Sequence, residues 1–69
     1  MEDIDILYTE QEAAELLRVS PKTLQKRRCM KKPPAYLNLS GTIRYRASDL
    51  REYIESSVVD PEREAEEAQ

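Results

Sequence analysis

Two helix-start signatures stand eleven residues apart in this chain, and that spacing restricts the fold more than any other feature. Thr9-Glu10-Gln11-Glu12 has the form of a capping box: a Thr9 hydroxyl accepts from the Glu12 amide, and the Glu12 carboxylate accepts from the Thr9 amide. A helix is therefore predicted from about Glu10, with Ala13, Leu16 and Leu17 as its apolar stripe and Glu10, Gln11 and Glu15 solvated. Tyr8 is placed to act as a hydrophobic staple ahead of Thr9. Ser20-Pro21 is the second signature, an N-cap followed by proline at the first helical position, where a missing N–H costs nothing. The first helix must then stop near Leu17–Arg18, and the second runs from Pro21 to about Cys29 or Met30. Only Arg18 and Val19 remain to join them, with Val19 as the expected plug between the two, which is the connection of a helix-turn-helix.

The second helix is unusually basic. With Leu24 pointing inward and about 100° per residue, Pro21, Arg27 and Arg28 fall on the inward side, whereas Lys22, Lys26 and Cys29 point away, with Thr23 and Gln25 on the shoulders. Lysine, threonine and glutamine are the side chains that meet base edges and phosphates in a major groove. Charge along the chain agrees. Residues 1–17 hold six acidic side chains and no basic one, residues 18–46 hold nine basic and no acidic, and residues 47–69 hold eight acidic and two basic. The net charge of −3 thus averages over a strongly cationic centre that calls for an anionic partner.

Beyond the second helix the period changes. Lys31-Lys32-Pro33-Pro34 ends any helix, and Ala35–Leu39 and Thr42–Arg46 read as two strands around Ser40-Gly41. Leu37 and Leu39 share one face of the first strand, Ile43 and Tyr45 one face of the second, and Arg44 and Arg46 project oppositely as a basic wing. Ser48-Asp49 is predicted to cap a third helix over about 49–56, with Leu50, Tyr53 and Ile54 at core spacing. Glu62–Gln69 has no large apolar residue and is expected to be frayed or disordered. The predicted fold class is mainly α with a small β-hairpin, a winged helix-turn-helix over 1–57 followed by an acidic tail over 58–69.

Sixty-nine residues make one small domain, whose core supplies about 3–5 kcal/mol. A lone cysteine closes no intramolecular disulfide, and with no histidine it builds no structural zinc site, so a reducing cytoplasmic setting without cofactor or metal is expected. Without histidine, a phosphate loop or a nucleophile–base pair, no enzyme activity is expected. No run is long enough for a membrane span, and Met1-Glu2-Asp3 does not open a signal peptide. Cys29 reads as a packing or groove-facing residue, and Tyr36, Tyr45 and Tyr53 as core residues or base-stacking ones. Two functional classes stand: a double-stranded DNA binder, and an adaptor docking an acidic protein through the basic face.

The run Tyr8-Thr9-Glu10-Gln11-Glu12-Ala13-Ala14-Glu15-Leu16-Leu17 with Val19-Ser20-Pro21-Lys22-Thr23-Leu24 resembles the opening of excisionase-type, MerR-like winged helix-turn-helix domains. Arg28, Pro33-Pro34-Ala35-Tyr36, Gly41, Arg44-Tyr45-Arg46, Ser48-Asp49-Leu50 and Tyr53-Ile54 then follow in the order of AlpA-type prophage regulators. The chain departs from that pattern at Arg18 and at Lys31-Lys32, where glycine is common, and at Arg27, where an aromatic residue is common. The resemblance implies a small DNA binder serving an integrase in excision or regulating a mobile element, acting as a dimer or as adjacent copies on repeated sites. It implies a recognition helix over about 21–29 in the major groove and a wing over about 36–46 on the backbone or in the minor groove. By the same resemblance Lys22, Thr23, Gln25 and Lys26 read or flank bases, Arg27, Arg28, Lys31 and Lys32 grip phosphates, Thr42, Arg44 and Arg46 are the wing's contribution, and the N-cap Ser20 is counted with the DNA-binding residues. Arg28 lies toward the core side, so a clamp on a carboxylate or helix end is an equal alternative for it.

Overall fold

The computed structural model describes residues 4–62. Its elements are β1 (Leu7–Tyr8), α1 (Glu10–Leu17), α2 (Pro21–Cys29), β2 (Leu37–Leu39), β3 (Thr42–Arg46) and α3 (Ala47–Ser56). The fold class is as the sequence indicates: three helices with a small antiparallel sheet. The expected disorder of the tail falls, beyond Glu62, outside the described residues.

Both helix-start signatures form as read. The Glu12 amide donates to the Thr9 hydroxyl at 3.0 Å, and the Thr9 amide donates to the Glu12 carboxylate at 2.9 Å. At the second start, the Thr23 amide donates to the Ser20 hydroxyl at 3.2 Å. Arg18 takes the left-handed conformation at φ 59°, which turns the Arg18 and Val19 amides back onto the last carbonyls of α1. Val19 is 40% exposed and does not plug the turn; its backbone closes it, with its amide on the Ala14 carbonyl at 3.0 Å. Lys31, at φ 60°, ends α2 in the same way: the Lys32 amide reaches the Arg27 carbonyl at 2.9 Å.

The inward face of α1 differs from the predicted stripe. Ala13 and Ala14 are fully buried and Leu17 packs against them, whereas Leu16 is 51% exposed. On a helical wheel the centre of the Ala13/Ala14/Leu17 face coincides with Glu10, one turn earlier, and lies about 110° from Leu16. Glu10, expected to be solvated, therefore points inward. Leu16 instead lines an open groove of about 340 Å³ with Tyr8, Leu50 and Ile54. Ile54 is half-exposed there, so in α3 it is Leu50 that anchors the core, with Tyr53 partly covered.

The sheet has the order β1-β3-β2, so the predicted two-stranded hairpin gains a third strand. Leu7 pairs with Arg46 and Tyr8 with Tyr45, and the Ala47 amide continues the ladder to the Ile6 carbonyl at 2.9 Å. Tyr8 thus acts as a strand residue packed on the core, not as a staple alone. The first hairpin strand is Leu37–Leu39, shorter than predicted, with Pro34 buried just before it. Ser40 (φ 55°) and Gly41 (φ 93°) make a two-residue loop with both φ positive, the turn that matches strand twist. The Gly41 amide donates to the Asn38 side chain at 2.7 Å. This loop sets the register Leu37↔Arg44, Asn38↔Ile43, Leu39↔Thr42. Directly paired residues share a face, so Leu37 and Leu39 lie with Thr42 and Arg44, and Ile43 and Tyr45 turn to the core.

α3 begins two residues before the predicted start. Arg46 holds the cap position and makes no side-chain cap bond; Ser48 and Asp49 lie inside the first turn. The capping group comes from the far end of the chain, because the Asp5 carboxylate accepts from the Ser48 amide at 3.3 Å and from the Ser48 hydroxyl. An anion at a helix N-terminus is favourable in its own right. It also ties the segment before β1 to α3.

Candidate nucleic-acid interface

α2 presents its polar side chains outward, as the wheel requires. Lys22, Thr23, Gln25, Lys26 and Cys29 are exposed, and Leu24 is the one buried residue. Ser20 and Thr23 are exposed at its N-terminus, their hydroxyls 3.0 Å apart and bonded to each other. No acidic side chain lies within α2, so Lys22, Gln25 and Lys26 form a compact outward set with cationic charge and an amide. Lys31 and Lys32 follow at once, both exposed. They border an open hollow of about 400 Å³ that runs over Pro33 and Pro34 to Tyr36.

The arginines divide differently. Arg28 Nε donates to Glu10 Oε2 at 2.9 Å and its Nη2 to Glu10 Oε1 at 3.3 Å, a two-pronged ion pair. Its guanidinium also lies 5.9 Å from the centroid of the Tyr36 ring. The Tyr45 hydroxyl donates to the same Glu10 Oε2 at 2.8 Å. Arg28 holds the Glu10 carboxyl below its ordinary range, with the Tyr45 hydroxyl adding to the effect. Desolvation and the adjacent carboxylate push the Tyr45 hydroxyl well above its ordinary value. The Glu10 interaction, in turn, raises Arg28. Of the two roles open to Arg28, this geometry is that of the carboxylate clamp.

Arg27 Nε donates to the Pro33 carbonyl, and its guanidinium sits 5.3 Å from the centroid of the Tyr53 ring. It fills, by stacking on α3, the place of an apolar contact. In the hairpin, Thr42 is exposed and Arg44 half-buried, with Arg44 Nη1 donating to the Ile43 carbonyl at 2.7 Å. Arg46 pairs with Asp49 through Nε at 2.6 Å and Nη2 at 3.1 Å. Arg27, Arg28, Arg44 and Arg46 therefore each have an internal partner, and Lys22, Lys26, Lys31 and Lys32 are exposed on α2 and in the segment just after it.

Glu10 is read from the sequence as solvated, and Tyr45 and Tyr53 as core or base-stacking residues; in the structure Glu10 and Tyr53 hold Arg28 and Arg27 of the basic helix, and Tyr45 holds Glu10. For Glu10 the signal was present in the sequence: it occupies the wheel position at the centre of the Ala13/Ala14/Leu17 face. Cys29 is an exposed free thiol on the outward side. Among the described residues no cluster of potential ligands could hold a metal ion, and no helix is long and apolar enough to cross a membrane.

Neither the curated proteins nor the solved structures compared with the chain gave a match. A family model described as a helix-turn-helix domain does match, over residues 7–57, which spans every element from β1 to α3. The chain therefore belongs to the helix-turn-helix domain family and is a small DNA-binding protein of that class.

Proposed function

We propose that the chain is a sequence-specific double-stranded DNA binder of a mobile element, excisionase-like or a transcriptional regulator, in which α2 enters the major groove. The observation that carries this reading is the outward face of α2: Lys22, Gln25 and Lys26 exposed on a helix whose N-terminus follows a tight turn and which bears no acidic residue. Lys22 and Lys26 suit guanine O6 and N7, Gln25 suits adenine N6 and N7, and Thr23 and Ser20 flank the phosphate at the helix start. Lys31 and Lys32 contact phosphates. The wing, through Thr42 and Arg44 with Arg46 beside them, follows the backbone or the adjacent minor groove. Arg27 and Arg28 act from behind the helix.

The binding unit spans 1–57, with the acidic 58–69 segment as a tail. A single module of this kind covers about 600–1,000 Å² of its own surface on DNA, so adequate specificity calls for two copies, as a dimer or side by side on repeats. The protein works in the cytoplasm at the nucleoid, beside an integrase when it serves excision. Selection from a random duplex pool, followed by protection mapping across the protein's own upstream region, tests the reading. One protected half-site supports an operator, and a ladder of direct repeats next to an attachment site supports excision. Absence of any enriched sequence, together with capture of acidic proteins by the basic face, would replace DNA reading with an adaptor role.

A further inference from the structure

α2 is fastened to the rest of the molecule in an unusual way. Of its nine residues only Leu24 is buried, at 1% exposed. A helix resting on one apolar knob is free to roll about it. A roll of about 20° carries outward side-chain tips by about 2 Å, enough to break a base-edge hydrogen bond. The positions that would complete an apolar face, three and four residues after Leu24, are Arg27 and Arg28.

Each of those arginines is gripped from a different side. Arg28 is forked onto Glu10 of α1, whose carboxylate is itself fixed by the buried Tyr45 of β3. Arg27 is held by the Pro33 carbonyl and the Tyr53 ring of α3. Two adjacent residues point about 100° apart around a helix, so anchors on both resist roll in either sense. We infer that Glu10 and Tyr53 are positioning residues that set the roll of α2 through Arg28 and Arg27, and that they govern discrimination between DNA sequences more than affinity for DNA. The inference rests on the DNA-reading role of α2 proposed above. A purely stabilising role for the same contacts predicts lower melting temperatures with discrimination unchanged.

The test uses the full chain with Glu10→Gln and Tyr53→Leu, each at a temperature where circular dichroism shows it folded. Affinity is measured for the duplex that wild type enriches and for an unrelated duplex of equal length. The ratio of the two affinities should fall about tenfold in each variant, the loss of roughly one base contact, while binding to the unrelated duplex stays within about twofold. Residual dipolar couplings of the 22–29 amides supply a readout without DNA: in both variants they should cease to fit the wild-type orientation of α2 relative to α3. Unchanged couplings, or a ratio within about twofold of wild type in both folded variants, would overturn the inference. If wild type enriches no sequence, the DNA reading fails by itself, and the couplings still decide whether the arginine anchors fix the roll.

Discussion

Replacing Tyr45 by phenylalanine isolates one hydrogen bond at the centre of the fold. The ring is 1% exposed, and phenylalanine keeps its volume, so no cavity opens and apolar burial is preserved. What is lost is the 2.8 Å bond from the hydroxyl to Glu10 Oε2. A hydrogen bond to a charged group contributes about 1.5–3 kcal/mol when its loss leaves the charge unpaired. Here Glu10 keeps both prongs from Arg28 and its side chain is 22% exposed, so water and Arg28 compensate in part. The expected cost is about 1–1.5 kcal/mol, at and just below the low end of that range. In a domain of this size it lowers the melting temperature by about 5–10 °C. Thermal and urea unfolding followed by circular dichroism measure it. A double-mutant cycle with Glu10→Ala identifies the partner, with a coupling of about 1 kcal/mol expected between the two changes. Strictly additive losses, or Tyr45→Phe as stable as wild type, would refute the geometry of the Glu10–Arg28–Tyr45 cluster.

Three further outcomes follow from the same contacts. Leu24→Ala removes the only buried side chain of α2 at a cost of about 2–5 kcal/mol, comparable with the stability of the whole domain, so the chain should be largely unfolded at 25 °C by circular dichroism. Glu10 and Asp5 are both held below their ordinary values of 4.5 and 3.8, by Arg28 and by the Ser48 hydroxyl respectively. Their folded values lie below the unfolded ones, so their contribution is complete above about pH 5 and is lost as pH falls through the folded values. Melting temperature should therefore be flat from neutral pH to about pH 5 and then drop, with a shallower acid limb in Asp5→Asn/Glu10→Gln. Ser40→Asn places the residue favoured at φ 55° in the hairpin loop and should raise stability by a few tenths of a kcal/mol, read as a shift in the urea midpoint.

What the sequence revealed and what it concealed separate along chain distance. Thr9 with Glu12, Ser20 with Thr23, and Ser40-Gly41 act within three residues, so their chemistry fixes α1, α2 and the hairpin loop without reference to anything else. The start of α3 was misplaced because its anion comes from Asp5, 43 residues before Ser48. β1 is two residues long and exists only because β3 is there to pair with it, so no periodicity announces it. In α1 the alanines carry the buried face and Leu16 does not; hydrophobicity alone ranks Leu16 above Ala14, and the packing of the Ala13/Ala14/Leu17 face on the core reverses that order. Among the candidate site residues, the outward placement of Lys22, Thr23, Gln25 and Lys26 was legible from the wheel. The engagement of Arg27 was not, since it depends on Pro33 and, on α3, Tyr53 meeting it in three dimensions. For Arg28 the carboxylate clamp was one of two roles open in the sequence, with Glu10, 18 residues earlier, not identified as its partner. For Arg46 the partner Asp49 lies only three residues on.

The central claim, that the outward face of α2 reads DNA while the lysines after it hold the backbone, is tested most directly by salt titration of duplex affinity in wild type, Lys26→Ala and Lys32→Ala. With four or five phosphate contacts, wild-type log affinity should fall with log salt at a slope of about −4. Lys26→Ala should lose preference among sequences, whereas Lys32→Ala should weaken all sequences alike and flatten the slope by about one. Equal effects of the two substitutions on preference and slope, or an affinity indifferent to salt, would contradict it.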